Sequence, residues 1–171
     1  MIQALSIFFV LITVSTFYLF SKAIGTDIYS KWLRKILVVW LILQAAISIS
    51  GFYAKLPIDF PPKIFLLGIL PALLFIVFLI FTKRQWIDSL SLKNIMFLNV
   101  IRVFVEIALF GLYIVHLAPK EMTFEGHNFD ILVGLTAPIV VYYGFVKSTL
   151  SSKILLIWNI LGLILLLIVV G

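Results

Sequence analysis

The 171-residue chain has no cysteine. Disulfides, thiolate nucleophiles and cysteine-ligated zinc or iron–sulfur centres are therefore excluded. Charge is scarce as well. Only 12% of residues are Asp, Glu, Lys or Arg, seven of them acidic, and histidine occurs twice. Soluble domains carry roughly 25% charged and about 45–50% apolar residues. At 64% hydrophobic and a mean hydropathy of +1.25, this chain has too little polar surface for a water-soluble globule. Nucleotide-binding, kinase and HExxH metalloprotease signatures are missing. The polar connections are too short to hold such domains.

What the chain does have is long apolar runs. A membrane-spanning helix needs about 20 mainly apolar residues. Six segments meet or approach that length, at about 2–20, 33–52, 64–81, 95–117, 131–146 and 154–170. The expected fold is all-α, a polytopic bundle of about six membrane helices forming a single transmembrane domain over 1–171. The first run is read as a span and not as a signal peptide. It lacks a basic leader, is too long and is followed by no small-residue cleavage pattern. The last run ends at Gly171 without a polar flank, which leaves room for a seventh span if the native chain continues.

Basic residues set the orientation. Nine flank the ends of spans one, three and five: Lys22, Lys31, Arg34, Lys35, Lys83, Arg84, Lys93, Lys147 and Lys153. Three lie in the connections after spans two and four, namely Lys55, Lys63 and Lys120. Lys and Arg collect on the cytoplasmic side. The odd-numbered loops are therefore expected in the cytoplasm, with the N-terminus and the loops at about 53–63 and 118–130 outside. This topology also accounts for the net charge of +6 without nucleic acid. The stretch "TKRQWIDSLSLKN" has Trp86, Ile87 and Leu90 on one helical face, which suits a short interfacial helix.

Two charges fall inside the fourth run. Insertion scales assign about 2.5–3.5 kcal/mol to Arg or Asp at the centre of a membrane helix. With the span starting near Asn94, Arg102 lies roughly 12 Å and Glu106 roughly 18 Å along it. An isolated Arg–Glu pair at i and i+4 is in the weaker orientation and leaves guanidinium donors unused. Both residues are therefore expected to face inward and share partners on other helices. Matching depth from the cytoplasmic ends brings Gln44, Thr13 and Thr136 to the level of Glu106, and Asn159 to that of Arg102. Asn99 shares their helical stripe. Pro71 should free the carbonyl of Leu67 near the same depth. The expected buried polar site is Arg102, Glu106, Asn99, Gln44, Thr136 and Asn159.

The outer loop "HLAPKEMTFEGHNFDILVGLTAP" holds both histidines, His116 and His127, with Glu121, Glu125 and Asp130. Glu125, His127, Asn128 and Asp130 are the candidate outer-loop residues. Asn128 or Asp130 is suited to cap span five. The His and carboxylate set could move protons, but its spacing matches no metal motif, and no metal or cofactor is expected. Gly134, Ala137 and Gly144 allow close helix contact, and Pro138 should kink or break its helix.

A transporter, channel or membrane-embedded binding protein for a small molecule or ion is the leading expectation, with the lipid bilayer as solvent. Glu106 would be the titrating or cation-binding group. Two alternatives compete. One is a structural or regulatory subunit, whose buried charges meet a protein partner or a second copy. The other is an intramembrane enzyme using His127 and nearby carboxylates.

Overall fold

The computed structural model describes residues 1–53, 65–126 and 128–170. Among these the chain is all-helical, with seven helices, a separate 3-10 turn at Lys120–Met122 and no strand. The helices are α1 (Ile2–Ala23), α2 (Ile28–Ile49), α3 (Phe65–Thr82), α4 (Arg84–Asp88), α5 (Leu92–Ile114), α6 (Asp130–Val146) and α7 (Ser152–Val170). Four of them, α1, α2, α3 and α5, are long and apolar enough to cross a membrane. α6 and α7 are shorter apolar helices. Most of this apolar surface is not covered by protein. None of the most apolar window of α3 is buried, and only 22% of that of α5.

Helix ends follow local chemistry. Gly25, at φ +78°, ends α1 in the left-handed conformation that glycine adopts without a Cβ clash. Asp27 then caps α2 by accepting from the Ser30 N–H at 3.0 Å. That cap starts α2 at Ile28, ahead of the apolar run expected from Leu33. Ser91 caps α5 in the same way through the Asn94 N–H. A short helix, α4, does form around Trp86 and Ile87, ending before Leu90.

The chain divides into two compact units. One comprises Met1–Ala23 with Ser91–Gly171 and holds α1, α5, α6 and α7. α5 runs antiparallel to α1, with Leu5 packed against Gly111, and antiparallel to α6, with Gly134 packed against Asn99 and Val103. Gly134 is required there. A Cβ on it would lie 2.9 Å from the backbone nitrogen of Val103 and 3.2 Å from the carbonyl of Asn99. Met96, Val141 and Leu155 form the buried apolar cluster, with Trp158 packed on it. α6 continues through Pro138, which does not break it, and widens to a π turn over Tyr142–Val146.

The other unit, Ile24–Leu90, holds α2, α3 and α4. α3 opens with a π turn, Phe65–Ile69, ahead of Pro71. Proline has no N–H to donate to the preceding turn. The Leu67 carbonyl instead accepts from Gln44 Nε2 at 3.0 Å, and Gln44 Oε1 accepts from the Tyr53 hydroxyl at 2.7 Å. At the opposite end of α2, the Asp27 carboxylate accepts from the Ser30 hydroxyl and from the Trp86 indole, the latter at 3.2 Å. These bonds, Ser30's hydroxyl foremost, hold the Asp27 carboxyl at about 2, below its ordinary 3.8.

Two outcomes follow. Gly134→Leu forces a side chain against rigid backbone and should destabilise the four-helix unit by about 1–3 kcal/mol, read as a lower Tm in detergent. Because the folded pKa of Asp27 is depressed, its contribution is complete above about pH 3.8 and lost as pH falls through about 2. Indole fluorescence should therefore change in that interval in the native chain. The change should be missing from Asp27→Ala, which should also melt lower at neutral pH.

Candidate functional site

Arg102 lies in the middle of α5, one turn past the 3-10 turn Leu98–Val100. Its guanidinium is ion-paired with Asp130, the first residue of α6, and donates to the Gly162 carbonyl of α7 at 3.0 Å. Three helices thus meet at one cation. Gly162 makes this possible, since a Cβ there would lie 3.1 Å from Val133 and 3.9 Å from the guanidinium.

The pairing has a topological consequence. α6 begins beside Arg102, well inside α5, and not beside the C-terminal end of α5 at Ile114. The preceding loop therefore folds back over the end of α5. Phe124 stacks on Phe110 with ring centroids 4.9 Å apart, and Thr123 is buried. The loop ends in Asn128, which satisfies three bonds at once. Its Oδ1 accepts from the Asp130 N–H at 3.0 Å, and its Nδ2 donates to Glu106 Oε1 at 2.6 Å and to the Met122 carbonyl at 3.0 Å. Asn128 thereby does the capping expected at the start of span five, and roofs Glu106.

Glu106 is 2% exposed and Asn128 1%. The second carboxylate oxygen of Glu106, Oε2, is buried with no hydrogen-bond partner among the described residues. Burying a carboxylate oxygen unpaired costs far more than burying a neutral group. The cluster contains two carboxylates, Glu106 and Asp130, and one guanidinium. It can therefore hold one more positive charge beside Glu106.

The remaining candidate residues lie elsewhere. Asn99 Nδ2 donates to the Met96 carbonyl at 3.0 Å, and Asn159 Nδ2 to the Leu155 carbonyl at 2.8 Å, each within its own helix. Thr13 likewise bonds back to Phe9. Thr136 accepts from the Trp158 indole at 3.0 Å, joining α6 to α7. Gln44 is engaged with Leu67 and Tyr53 in the other unit. Glu125 is ion-paired with Lys120 at 3.9 Å on the exposed side of the loop. His116, at φ +59°, lines a shallow concavity with Tyr113 and Lys120. His127 lies outside the described residues. Among the described residues, no three His, Asp or Glu side chains converge as a metal site. Sequence reasoning did not join Arg102 to Asp130. The signal was the shortness of the 131–146 run, which leaves α6 too short to start level with the end of α5.

No protein-family model, curated protein or solved structure matches the chain.

With Arg102 23% and Asp130 8% exposed, removing either partner leaves the other charge largely buried and should cost about 3–5 kcal/mol. Arg102→Gln and Asp130→Asn should each lower the denaturation midpoint by that amount. The double variant should lose much less than their sum, a coupling read from the double-mutant cycle.

Proposed function

We propose that the chain is a multi-pass protein of the cell membrane in which Glu106 binds a small cation, the proton included, as part of a transporter, channel or membrane-embedded binding protein. Six spans, with the N-terminus and the 118–130 loop outside, agree with the asymmetry of nine basic residues against three. The exposed apolar faces of the helices suit hydrocarbon as their solvent.

One observation carries the binding role. Glu106 Oε2 is buried without a partner among the described residues, beside an Asp130 already committed to Arg102. Charged groups at membrane depth are expensive and mark ion or proton pathways. A pair serving only to lock helix register would need Arg102 and Asp130 alone. Glu106 adds a second negative charge for which the described residues provide no second cation. Both side chains are turned inward and bonded within their own unit, which favours a site in this chain over charges that meet a partner protein.

Two experiments test this. In proteoliposomes, imposed proton, sodium or potassium gradients should dissipate faster with the wild-type chain than with Glu106→Gln. The cation that moves should raise the Tm of the wild type and not that of the variant. A Glu106→Gln chain that conducts and responds like wild type sinks the reading. Because the chain has no cysteine, single thiols report sidedness directly. Ser89→Cys should react with an impermeant reagent only from the cytoplasmic side, and Glu121→Cys only from the outer side.

A further inference from the structure

We propose that the first two turns of α2 form a binding site for the phosphate headgroup of an anionic phospholipid. The inference rests on the membrane reading above but not on Glu106. Ile28, Lys31, Trp32, Arg34 and Lys35 line a concavity of about 380 Å³, within the range of small-ligand sites. The spacing of Ile28, Lys31, Trp32 and Lys35 puts them on one helical face. Its floor is apolar and open, with Ile28 61% and Trp32 59% exposed. Three cations surround that floor.

Two of the three cations are held before any ligand arrives. Arg34 donates to the Gly25 carbonyl at 2.6 Å, across the left-handed turn that ends α1. Lys35 Nζ lies over the Trp32 ring, 5.4 Å from its centroid. Asp27, the cap of the same helix, has its carboxylate engaged by Ser30 and Trp86. An apolar floor beneath fixed cations at the start of a membrane helix matches a glycerophospholipid. Its phosphate meets the cations and its glycerol and upper acyl carbons meet Ile28 and Trp32. A free inorganic anion would use the cations and leave the floor without a role. The topology puts this end of α2 in the cytoplasmic leaflet, where anionic lipids concentrate.

The test uses the full chain reconstituted in phosphatidylcholine vesicles containing phosphatidylglycerol, followed by native mass spectrometry during gradual delipidation. Phosphatidylglycerol should stay bound after phosphatidylcholine is stripped. Replacing Lys31 and Lys35 with Gln together should weaken its retention roughly 30-fold, about fivefold per lysine. Trp32→Ala, which leaves the charge intact, should weaken it as well. Replacing Lys93 and Lys153 with Gln, an equal charge loss elsewhere on the same side, should leave it unchanged. The proposal is overturned if both lysine pairs act alike, if Trp32→Ala has no effect, if phosphatidylcholine is retained equally, or if inorganic phosphate displaces the lipid. A chain that fails to float with the vesicles would instead overturn the membrane reading.

Discussion

A guanidinium cannot be left unpaired among apolar helices, and Arg102 makes that constraint local. Its nearest carboxylate along α5, Glu106, is not the one it takes. It pairs with Asp130 and with a helix carbonyl at Gly162. Several features of the four-helix unit follow. Asp130 must come down to the level of Arg102, so the preceding loop must fold inward over α5. A loop carried below the helix end brings its own polar backbone with it, and these groups need partners. Asn128 meets that need by bonding Asp130, Met122 and Glu106 together. Close approach then requires small residues, and the chain has glycine at 134 and 162, where a Cβ would press on neighbouring atoms.

The unit built from α2, α3 and α4 solves the same problem without charge. Pro71 disturbs the hydrogen-bond ladder at the start of α3, and the turn before it opens into a π segment. Gln44 reaches across from α2 to the Leu67 carbonyl, and is itself held by Tyr53. Water is scarce beside such apolar helices, so a side-chain amide does what water does at a proline kink in a soluble protein. The cost of either arrangement is specificity of sequence. Gln44 must face Leu67, just as Asp130 must face Arg102.

Much of this was legible in the residues. Composition and apolar run length indicated an all-helical chain, and the helix limits lie within a few residues of the runs, displaced mainly where Asp27 and Ser91 supply caps. Pro71 pointed to the Leu67 carbonyl as a freed group, but Gln44, expected in the layer of Arg102 and Glu106, bonds that carbonyl in the other unit instead. The partner of Arg102 was not legible. Depth counting assumes that each loop stays outside its helices, and the stretch holding Thr123, Phe124 and Asn128 does not. An aspartate at a helix start reads as a capping residue, but here Asn128 accepts the Asp130 N–H and the aspartate is left to pair with Arg102. Likewise, Asn99 shares the stripe of Arg102 and Asn159 stands at a matching depth, yet each amide bonds back to its own helix, because a carbonyl one turn away is within reach.

The cations outside the core are handled by a different rule, and the contrast bears on what the buried ones do. Lys22, Lys35, Lys83 and Lys147 each lie over an aromatic ring, Tyr18, Trp32, Tyr29 and the Tyr142–Tyr143 pair respectively. All four lie near helix ends, at the ends of α1, α3 and α6 or in the second turn of α2. Such pairs hold a cation at the boundary, with its stem on apolar surface and its head toward water. Arg102 has no aromatic face over it among the described residues and is paired instead with the Asp130 carboxylate. The other acidic group in that layer is Glu106, held by one asparagine on one oxygen. Structure alone would be served by glutamine at that position, since its carbonyl would accept the Asn128 bond without a second buried charge. A glutamate there adds a carboxyl that is costly to bury ionised, and the proposed role of the layer rests on Glu106 more than on the ion pair beside it.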